Sequence, residues 1–527
     1  MDVATVSAQD VTTLAELPRV VGRRHGDKPA LVIDEQPLSY DGLERAANRA
    51  AQALVRDGIR PGDRVALLAR DSLASITVLF AAAKAGAVCV LVNWRLCPEE
   101  IAFIFEDARP RRVFFDPDFA PHLAGVGERL GARLPAVALA PGGVTDLVRW
   151  CEGMPESPPL PAPHAEDVVV QMYTSGTTGH PKGVQLAHRS FFAIAQEMER
   201  RGDPWIGWTD ADVSLLFVPT FHIGGLWWLV RGLSLGSTNV VLKAFEPARI
   251  LEAIPRHRVT RTCMVPAMMQ VLLAEPGCEQ TDFSSLRTIV YGGAPIAPPL
   301  LERARRVFGC EFCQIYGMTE TGNMAVSLRP RDHLAADAAR LLAAGRPLPG
   351  VEVRILARDG GEAGPGEIGE IAIRSPAQMV GYWNRPAETR RTMADGWVRT
   401  GDGGYRDAEG FVYVCDRIKD MIICGGENIY PAEIENALRR HHAVADAAVI
   451  GVPDDLWGEA VMAFVVARAG TSLEPRDVVR HARQHLADFK VPRTVQVVEQ
   501  LPRNASGKIL KAKLREPFWA GRVRNVN

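Results

Sequence analysis

No charge of one sign dominates this chain. Its 527 residues carry 61 Lys and Arg against 62 Asp and Glu, a net charge of -1, so no whole-molecule field exists to hold a nucleic acid or an anionic membrane surface. Long apolar runs are missing too. The longest, residues 73–92, is broken by Ser75, Thr77, Lys84 and Gly86, and reads as a helix, a turn and a strand rather than a span of about 20 apolar residues. Residues 1–10 (MDVATVSAQD) offer no basic n-region and no apolar h-region, and the last residues carry no lipidation box. A cytoplasmic protein without integral membrane association is therefore expected. Cysteine is sparse and odd in number, nine in all, which excludes a disulfide scaffold and favours reduced thiols. Cys310 and Cys313 form a C-x-x-C with no second pair to complete a zinc site, on an alternating run that reads as a buried strand. Internal repeats and low-complexity tracts are absent.

What is present is ordinary globular material, 47% hydrophobic and 23% charged, long enough at roughly 150 residues per domain for about three or four compact units. Helix and strand alternate through the first part: a helix over 40–57, a turn at Pro61-Gly62-Asp63, a strand over 64–68, a second helix and a strand over 87–92. That alternation predicts α/β layering. The segment PESPPLPAP, residues 155–163, suits neither helix nor central strand and reads as a surface connector. Strands over 167–173, 238–242 and 287–291 and helices over 224–233 and 247–254 continue the α/β pattern. From 351 to 374 the period falls to two between glycine turns, which predicts antiparallel hairpins. After Asp416 comes a small α+β module: helix 431–439, strands 447–451 and 460–467, helix 474–486 and strand 494–498.

The strongest local signal is Tyr173-Thr174-Ser175-Gly176-Thr177-Thr178-Gly179-His180-Pro181-Lys182-Gly183, read as lying between a strand and a helix. Its glycines and small hydroxyl residues leave backbone N–H groups bare, as an anionic phosphate chain requires. It is not a Walker A loop, because G-x-x-x-x-G-K-[ST] fails in register. The same composition also suits a mobile Gly/Thr turn.

Further motifs follow in order: Pro219-Thr220-Phe221-His222-Ile223-Gly224-Gly225, Gly292-Gly293-Ala294-Pro295, Tyr316-Gly317-Met318-Thr319-Glu320-Thr321, Trp397, Thr400-Gly401-Asp402, Asp416-Arg417-Ile418-Lys419-Asp420, Gly425-Gly426-Glu427-Asn428 and Asn504-Ala505-Ser506-Gly507-Lys508. Together with the phosphate loop, this set resembles the adenylate-forming superfamily of acyl-CoA synthetases, peptide-synthetase adenylation domains and luciferases, over nearly the whole chain. The resemblance implies an α/β fold with a large N-terminal domain, residues 1–418, of layered α/β subdomains plus a distorted β-barrel. It implies a small mobile α+β C-terminal domain, residues 419–527, that swings about a hinge at Lys419.

The implied activity is that of an AMP-forming acid–thiol ligase using ATP, Mg²⁺ and coenzyme A. By the resemblance, Thr174 to Gly179 and Lys182 cradle the β/γ-phosphates, Glu320 holds Mg²⁺, and Lys508 stabilises charge at the α-phosphate and the attacking carboxylate. Thr174 and His222 complete the implied catalytic set. Asp402 would accept the ribose hydroxyls, Arg417 would serve the ribose and phosphate side, and Gly293, Ala294, Pro295, Tyr316, Gly317, Met318 and Thr319 would hold adenine and its surroundings. Gly425, Gly426, Trp457, Phe489 and Arg493 match thiol-tunnel and coenzyme A positions of aryl-CoA ligases, whereas Val491 stands where some of those relatives have arginine. The basic tail from Arg503 either attracts phosphates or is a solvated face.

Amino-acid-activating relatives carry an aspartate near Phe221, and His222 stands there instead, which disfavours an amino acid. Phe221, His222, Ile223, Trp227, Met264, Val265, Gly292 and Met318 form the implied acyl pocket, whose apolar members favour an aryl or medium-chain acid. A satisfied core histidine and plain helix packing of Trp227 and Trp228 stay open as alternatives. The rival acceptor is a carrier-protein phosphopantetheine, and a homodimer also stays open. The G-x-S-x-G match at residues 232–236 is rejected as a nucleophile elbow, because a helix precedes it and a strand follows.

Overall fold

The computed structural model describes residues 11–132, 134–139, 145–174, 181–334, 339–357, 359–417, 420–424, 427–454, 458–486, 488–503 and 507–520. Ser175, Gly176, Thr177, Thr178, Gly179, Lys419, Gly425, Gly426 and Trp457 lie outside the described residues.

Local chemistry sets where the helices begin. Ser39 Oγ accepts the Gly42 N–H at 3.1 Å and caps the Tyr40–Arg56 helix. Ser72 and Ser75 form a reciprocal capping box at the head of Leu73–Lys84, satisfying donors the first turn cannot pair internally. Proline opens the Pro247–Arg256, Pro266–Ala274, Pro298–Phe308, Pro431–Arg439 and Pro475–His485 helices, where its missing N–H costs nothing. The Leu73–Lys84 helix is buried nearly throughout, and its Lys84 is matched by Glu44 at 2.7 Å.

Among the described residues, the large part of the chain holds three sheets. In a nine-stranded sheet, Glu311–Tyr316, Thr288–Gly292, Arg261–Met264, Val213–Leu216 and Thr238–Val241 lie side by side and parallel. In a seven-stranded sheet, Arg64–Leu68 is flanked by Val88–Leu91 and Arg112–Phe115, and Val168–Thr174 adds in parallel to Val88–Leu91. Val88–Leu91, at the middle of the second sheet, is a wholly buried apolar run, as a parallel strand covered on both faces requires. The third sheet, at the expected barrel subdomain, is antiparallel, with Glu352–Leu356, Gly369–Arg374 and Trp397–Arg406 adjacent. The two-residue period over 351–374 thus becomes a hairpin.

A fourth sheet pairs Val444–Asp454 with Gly458–Ala467 and sets Thr494–Val498 parallel to the latter. Its buried core begins at Ile422, whereas the main core runs from Val11 to Val412. Among the described residues no buried apolar cluster contains residues from both sides.

One expectation is corrected. The phosphate-loop motif does not run from a strand into a helix. Lys182–Ala187 is a strand antiparallel to Val168–Thr174, with Thr174 opposite Lys182. Its sequence KGVQLA alternates weakly, but Gly183, Val184, Leu186 and Ala187 are buried, and sheet pairing outweighs the helical reading. The Arg189–Arg200 helix begins only afterwards.

Candidate active site

Parallel strands deliver their C-terminal ends to one edge, where open α/β sheets place ligands. From the nine-stranded sheet, Leu216 leads to Phe221 and His222, Met264 to Val265, Gly292 to Gly293-Ala294-Pro295, and Tyr316 to Glu320. From the seven-stranded sheet, Leu68 leads to Asp71, Leu91 to Trp94, and Thr174 to the phosphate-loop motif. The two edges meet. Asp71 accepts the Thr220 N–H at 3.1 Å and the Thr220 hydroxyl, and Trp94 meets Phe221 edge-on at 6.1 Å. Sequence reasoning missed Asp71, which carries no motif of its own.

At one end of this cleft, Lys182 Nζ lies 5.2 Å from the centre of the Tyr382 ring, and the Tyr382 hydroxyl donates to Glu320 Oε1 at 2.8 Å. Tyr382 comes from the short edge strand Gly381–Tyr382, which pairs with Lys182–Ala187. It was not legible in the sequence, because only sheet pairing brings it to Glu320. Glu320 is 6% exposed and sits in the Thr319–Thr321 turn, fixed by Met379 N–H donating to its carbonyl at 2.9 Å. Among the described residues no three His, Cys, Asp or Glu side chains converge on a metal position. A lone carboxylate fits Mg²⁺, which commonly takes one or two carboxylates and completes its shell with substrate phosphates and water.

At the end where the resemblance puts the nucleoside, Tyr316 OH donates to Asp402 Oδ2 at 2.8 Å. Asp402 lies in the Trp397–Arg406 strand with its N–H on Thr400 Oγ1 at 3.1 Å, and Thr400 in turn donates to the Ile371 carbonyl at 2.7 Å. Arg417 ends the neighbouring strand directly opposite Asp402. Gly293, Ala294 and Pro295 form an exposed loop, Met318 and Thr319 are half-buried, and Gly317 has no room for a side chain, since a Cβ there would lie 1.8 Å from the Asn323 carbonyl oxygen.

Where the resemblance puts the acyl pocket, His222 is the residue before the Ile223–Ser234 helix, and its ring packs on Phe221 at 4.5 Å. Burial, helped by the nearby Arg95 charge, pushes its pKa down to about 4, so the imidazole is neutral near pH 7. Trp227 packs edge-on against Trp205 at 5.7 Å and Trp228 lies against Trp208 at 4.4 Å, so both have core packing. Met264 is buried at its strand end, Val265 precedes the Pro266–Ala274 helix, and Gly292 ends its strand between them and Ile315.

The small unit reaches this cleft through the loop that carries Lys508. A Cβ on Gly507 would lie 3.4 Å from the Ala267 side chain, two residues after Val265. Arg503 anchors the loop by donating to the Gly507 carbonyl and to Asp446. Arg493 pairs with Asp454 at 3.2 Å, Phe489 lies in the Asp488–Lys490 turn, and Val491 is buried in the small core. Two of the tail's described basic residues are paired: Lys511 with Glu435 at 2.9 Å and Arg515 with Asp420. Ser234 of the G-x-S-x-G match donates to the Val230 carbonyl at 2.6 Å from the end of its helix, tied into the helix rather than raised on an elbow.

Comparison with known proteins gives a consistent picture. Residues 18–383 match the family described as AMP-binding enzyme, and residues 433–508 match the AMP-binding enzyme C-terminal domain. The chain is 44% identical to a fatty acid–[acyl-carrier-protein] ligase, ScoC, of Streptomyces coeruleorubidus, covering 98% of each chain. It is 37% identical to a feruloyl-CoA synthase of Amycolatopsis sp, covering 95% of this chain and 96% of that one. Among solved structures, the o-succinylbenzoate CoA synthetase of Bacillus subtilis with its acyl-adenylate intermediate superposes with a TM-score of 0.84, at 34% identity over 95% of this chain and 97% of that chain. An anthranilate CoA ligase, AuaEII, with anthranoyl-AMP superposes with a TM-score of 0.88, at 27% identity over 97% and 99%. No described helix is long and apolar enough to cross a membrane.

Proposed function

The chain belongs to the AMP-binding enzyme family, and from that premise we propose that it is an AMP-forming acid–thiol ligase acting on an aryl or medium-chain carboxylic acid in the cytoplasm. A carboxylate is a poor acyl donor, so the reaction runs in two halves. In the first, a carboxylate oxygen attacks the α-phosphorus of ATP, the bond to the bridging oxygen breaks, and pyrophosphate leaves. In the second, the coenzyme A sulfur attacks the acyl carbon of the adenylate, AMP leaves, and the thiol proton passes to solvent.

Each half makes its own demand on the cleft. In the first, Thr174, the following loop and Lys182 bind the outgoing phosphates, and Asp402, steadied by Tyr316, accepts the ribose hydroxyls. Glu320 would hold Mg²⁺, which would supply positive charge to the phosphate oxygens. Lys508 offsets the charge that grows between carboxylate and α-phosphate. The observation that carries the reading is the meeting of Lys182, Tyr382 and Glu320 at one end of the cleft and of Tyr316 and Asp402 at the other. The approach of Gly507 to Ala267 supports an adenylate-forming arrangement, with Lys508 beside the acyl wall. For the second half, residues 1–418 and 419–527 act as two units about Lys419, so that Gly425, Trp457, Phe489 and Arg493 can face the thiol. The separate cores support that division.

The test is pyrophosphate release across fatty, aryl and amino acids, with and without coenzyme A. Acid-dependent release and thioester formation are expected, with Lys508→Ala slowing release by roughly a hundredfold or more, about 3 kcal/mol. Release without acid dependence would contradict the reading. A second acceptor is favoured by one finding, the 44% identity to a ligase named for an acyl carrier protein. Coenzyme A and a phosphopantetheinylated carrier compared in the same assay separate the two.

A further inference from the structure

Asp107 is an acid in the last turn of the Pro98–Ala108 helix, where the negative end of the helix dipole disfavours it. Its side chain is only 11% exposed, so its partners must offset both the dipole and the lost water. They come from two other segments of the chain. Tyr173 OH donates to Asp107 Oδ2 at 2.6 Å, and the Arg385 guanidinium lies 3.2 Å from Oδ1. The Asp107 carbonyl, which the helix end leaves unpaired, accepts the Trp383 indole N–H at 3.0 Å. The next carbonyl, that of Ala108, accepts Arg64 Nε at 2.7 Å, and the Arg64 guanidinium also lies 4.6 Å from the centre of the Trp383 ring.

Both segments lead to the end of the cleft where Lys182, Tyr382 and Glu320 meet. Tyr173 precedes Thr174 on the first stem of the phosphate-loop hairpin and pairs with Gly183 on the second. A Cβ on Gly183 would lie 3.1 Å from Tyr173 Cζ and 2.8 Å from Gln171 Nε2, so the phenol lies across the second stem. Gln171 Nε2 donates to the Tyr173 hydroxyl at 2.9 Å. Burial and the Asp107 carboxylate raise the phenol's pKa, so it keeps the proton it donates. Trp383 and Arg385 follow Tyr382, which donates to Glu320 and presents its ring to Lys182. The Trp383 N–H donates to the Gly183 carbonyl at 2.8 Å, so the second segment also grips the hairpin directly.

We propose that Asp107 is a positioning residue for the triphosphate: through Tyr173 on one side and Trp383 and Arg385 on the other, it fixes the phosphate-loop hairpin against the Tyr382–Glu320 pair. It acts through these side chains rather than on the reacting atoms. The spacing of Thr174 and Lys182 from Glu320 then depends on an acid that stands outside every motif of the chain. This deepens the ligase reading above and rests on it.

The test measures equilibrium binding of Mg-ATP and of AMP by calorimetry, with no acid present, for the wild type, Asp107→Ala, Tyr173→Phe and the double variant. AMP lacks the β- and γ-phosphates, so general damage to the large body weakens both ligands, whereas lost positioning weakens Mg-ATP alone. Asp107→Ala is expected to raise Kd for Mg-ATP by about tenfold and Kd for AMP by less than about twofold. Tyr173→Phe keeps the ring and removes one hydrogen bond to a carboxylate, and should raise Kd for Mg-ATP by about fivefold, again sparing AMP. The double variant should bind Mg-ATP no more weakly than Asp107→Ala, because the two residues act as one pair. Equal losses for both nucleotides, unchanged Mg-ATP binding in either single variant, or additive losses in the double variant overturn the proposal. Tyr173→Phe alone decides the matter where Asp107→Ala does not fold. A wild type that binds neither nucleotide overturns the ligase reading as well, so the two failures are distinct.

Discussion

Tyr382 and Asp71 matter more at the scale of single residues than their lack of any motif suggests. Tyr382 gives Glu320 its hydroxyl donor and presents its ring to Lys182. Replacing it by Phe keeps the ring and removes a hydrogen bond to a carboxylate, a loss of about 1.5 kcal/mol. Initial-rate measurements should show KM for Mg-ATP rising about tenfold with the acid KM little changed. Asp71 is buried, and burial outweighs its two Thr220 hydrogen bonds to raise its pKa to about 6. The folded state therefore keeps a proton between about pH 4 and 6 that the unfolded chain has lost, so this group lowers stability as pH rises through that window. Denaturant unfolding should show Asp71→Asn gaining on the wild type between pH 4 and 7, by up to about 3 kcal/mol. Asp71→Ala, which drops the Thr220 contacts, should lose stability at both pH values. These roles were illegible in the sequence because they come from pairing across two sheets, whereas Glu320, Asp402 and Lys508 stood within runs dense enough to read.

Among elements, regular segments were legible and the loop context was not. The Arg64–Leu68 and Thr494–Val498 strands and the Pro431–Arg439 helix fall where apolar period and capping put them. The phosphate-loop hairpin was misread because glycine and threonine between two apolar runs suit a strand-to-helix turn as well as a strand-to-strand turn. Only the pairing of Thr174 with Lys182 decides between them. The turn after Glu311–Tyr316 is tighter than its sequence suggests. Gly317→Ala puts a methyl 1.8 Å from the Asn323 carbonyl oxygen, so the turn bearing Glu320 must shift. Thermal unfolding should report a loss of about 3 kcal/mol, with adenylation falling in parallel. Gly224→Ala, whose methyl would make only a van der Waals contact with Asn323 Oδ1 at 3.9 Å, should leave the melting temperature nearly unchanged.

For the whole molecule, the division into a large α/β body and a small α+β unit followed from the change of period after residue 351 and again after Asp416, and the separate cores agree with it. How the units sit on one another was beyond sequence pattern. The two units touch where Gly507, next to Lys508, meets Ala267. With their side-chain positions 3.4 Å apart, cysteines placed at Ala267 and Gly507 come within reach of disulfide geometry. In the oxidised double variant, rapid-quench analysis of a single turnover should find acyl-adenylate and pyrophosphate formed but almost no thioester, and reduction should restore thioester formation. Thioester produced by the locked enzyme at the unlocked rate would contradict the two-pose account of this cleft.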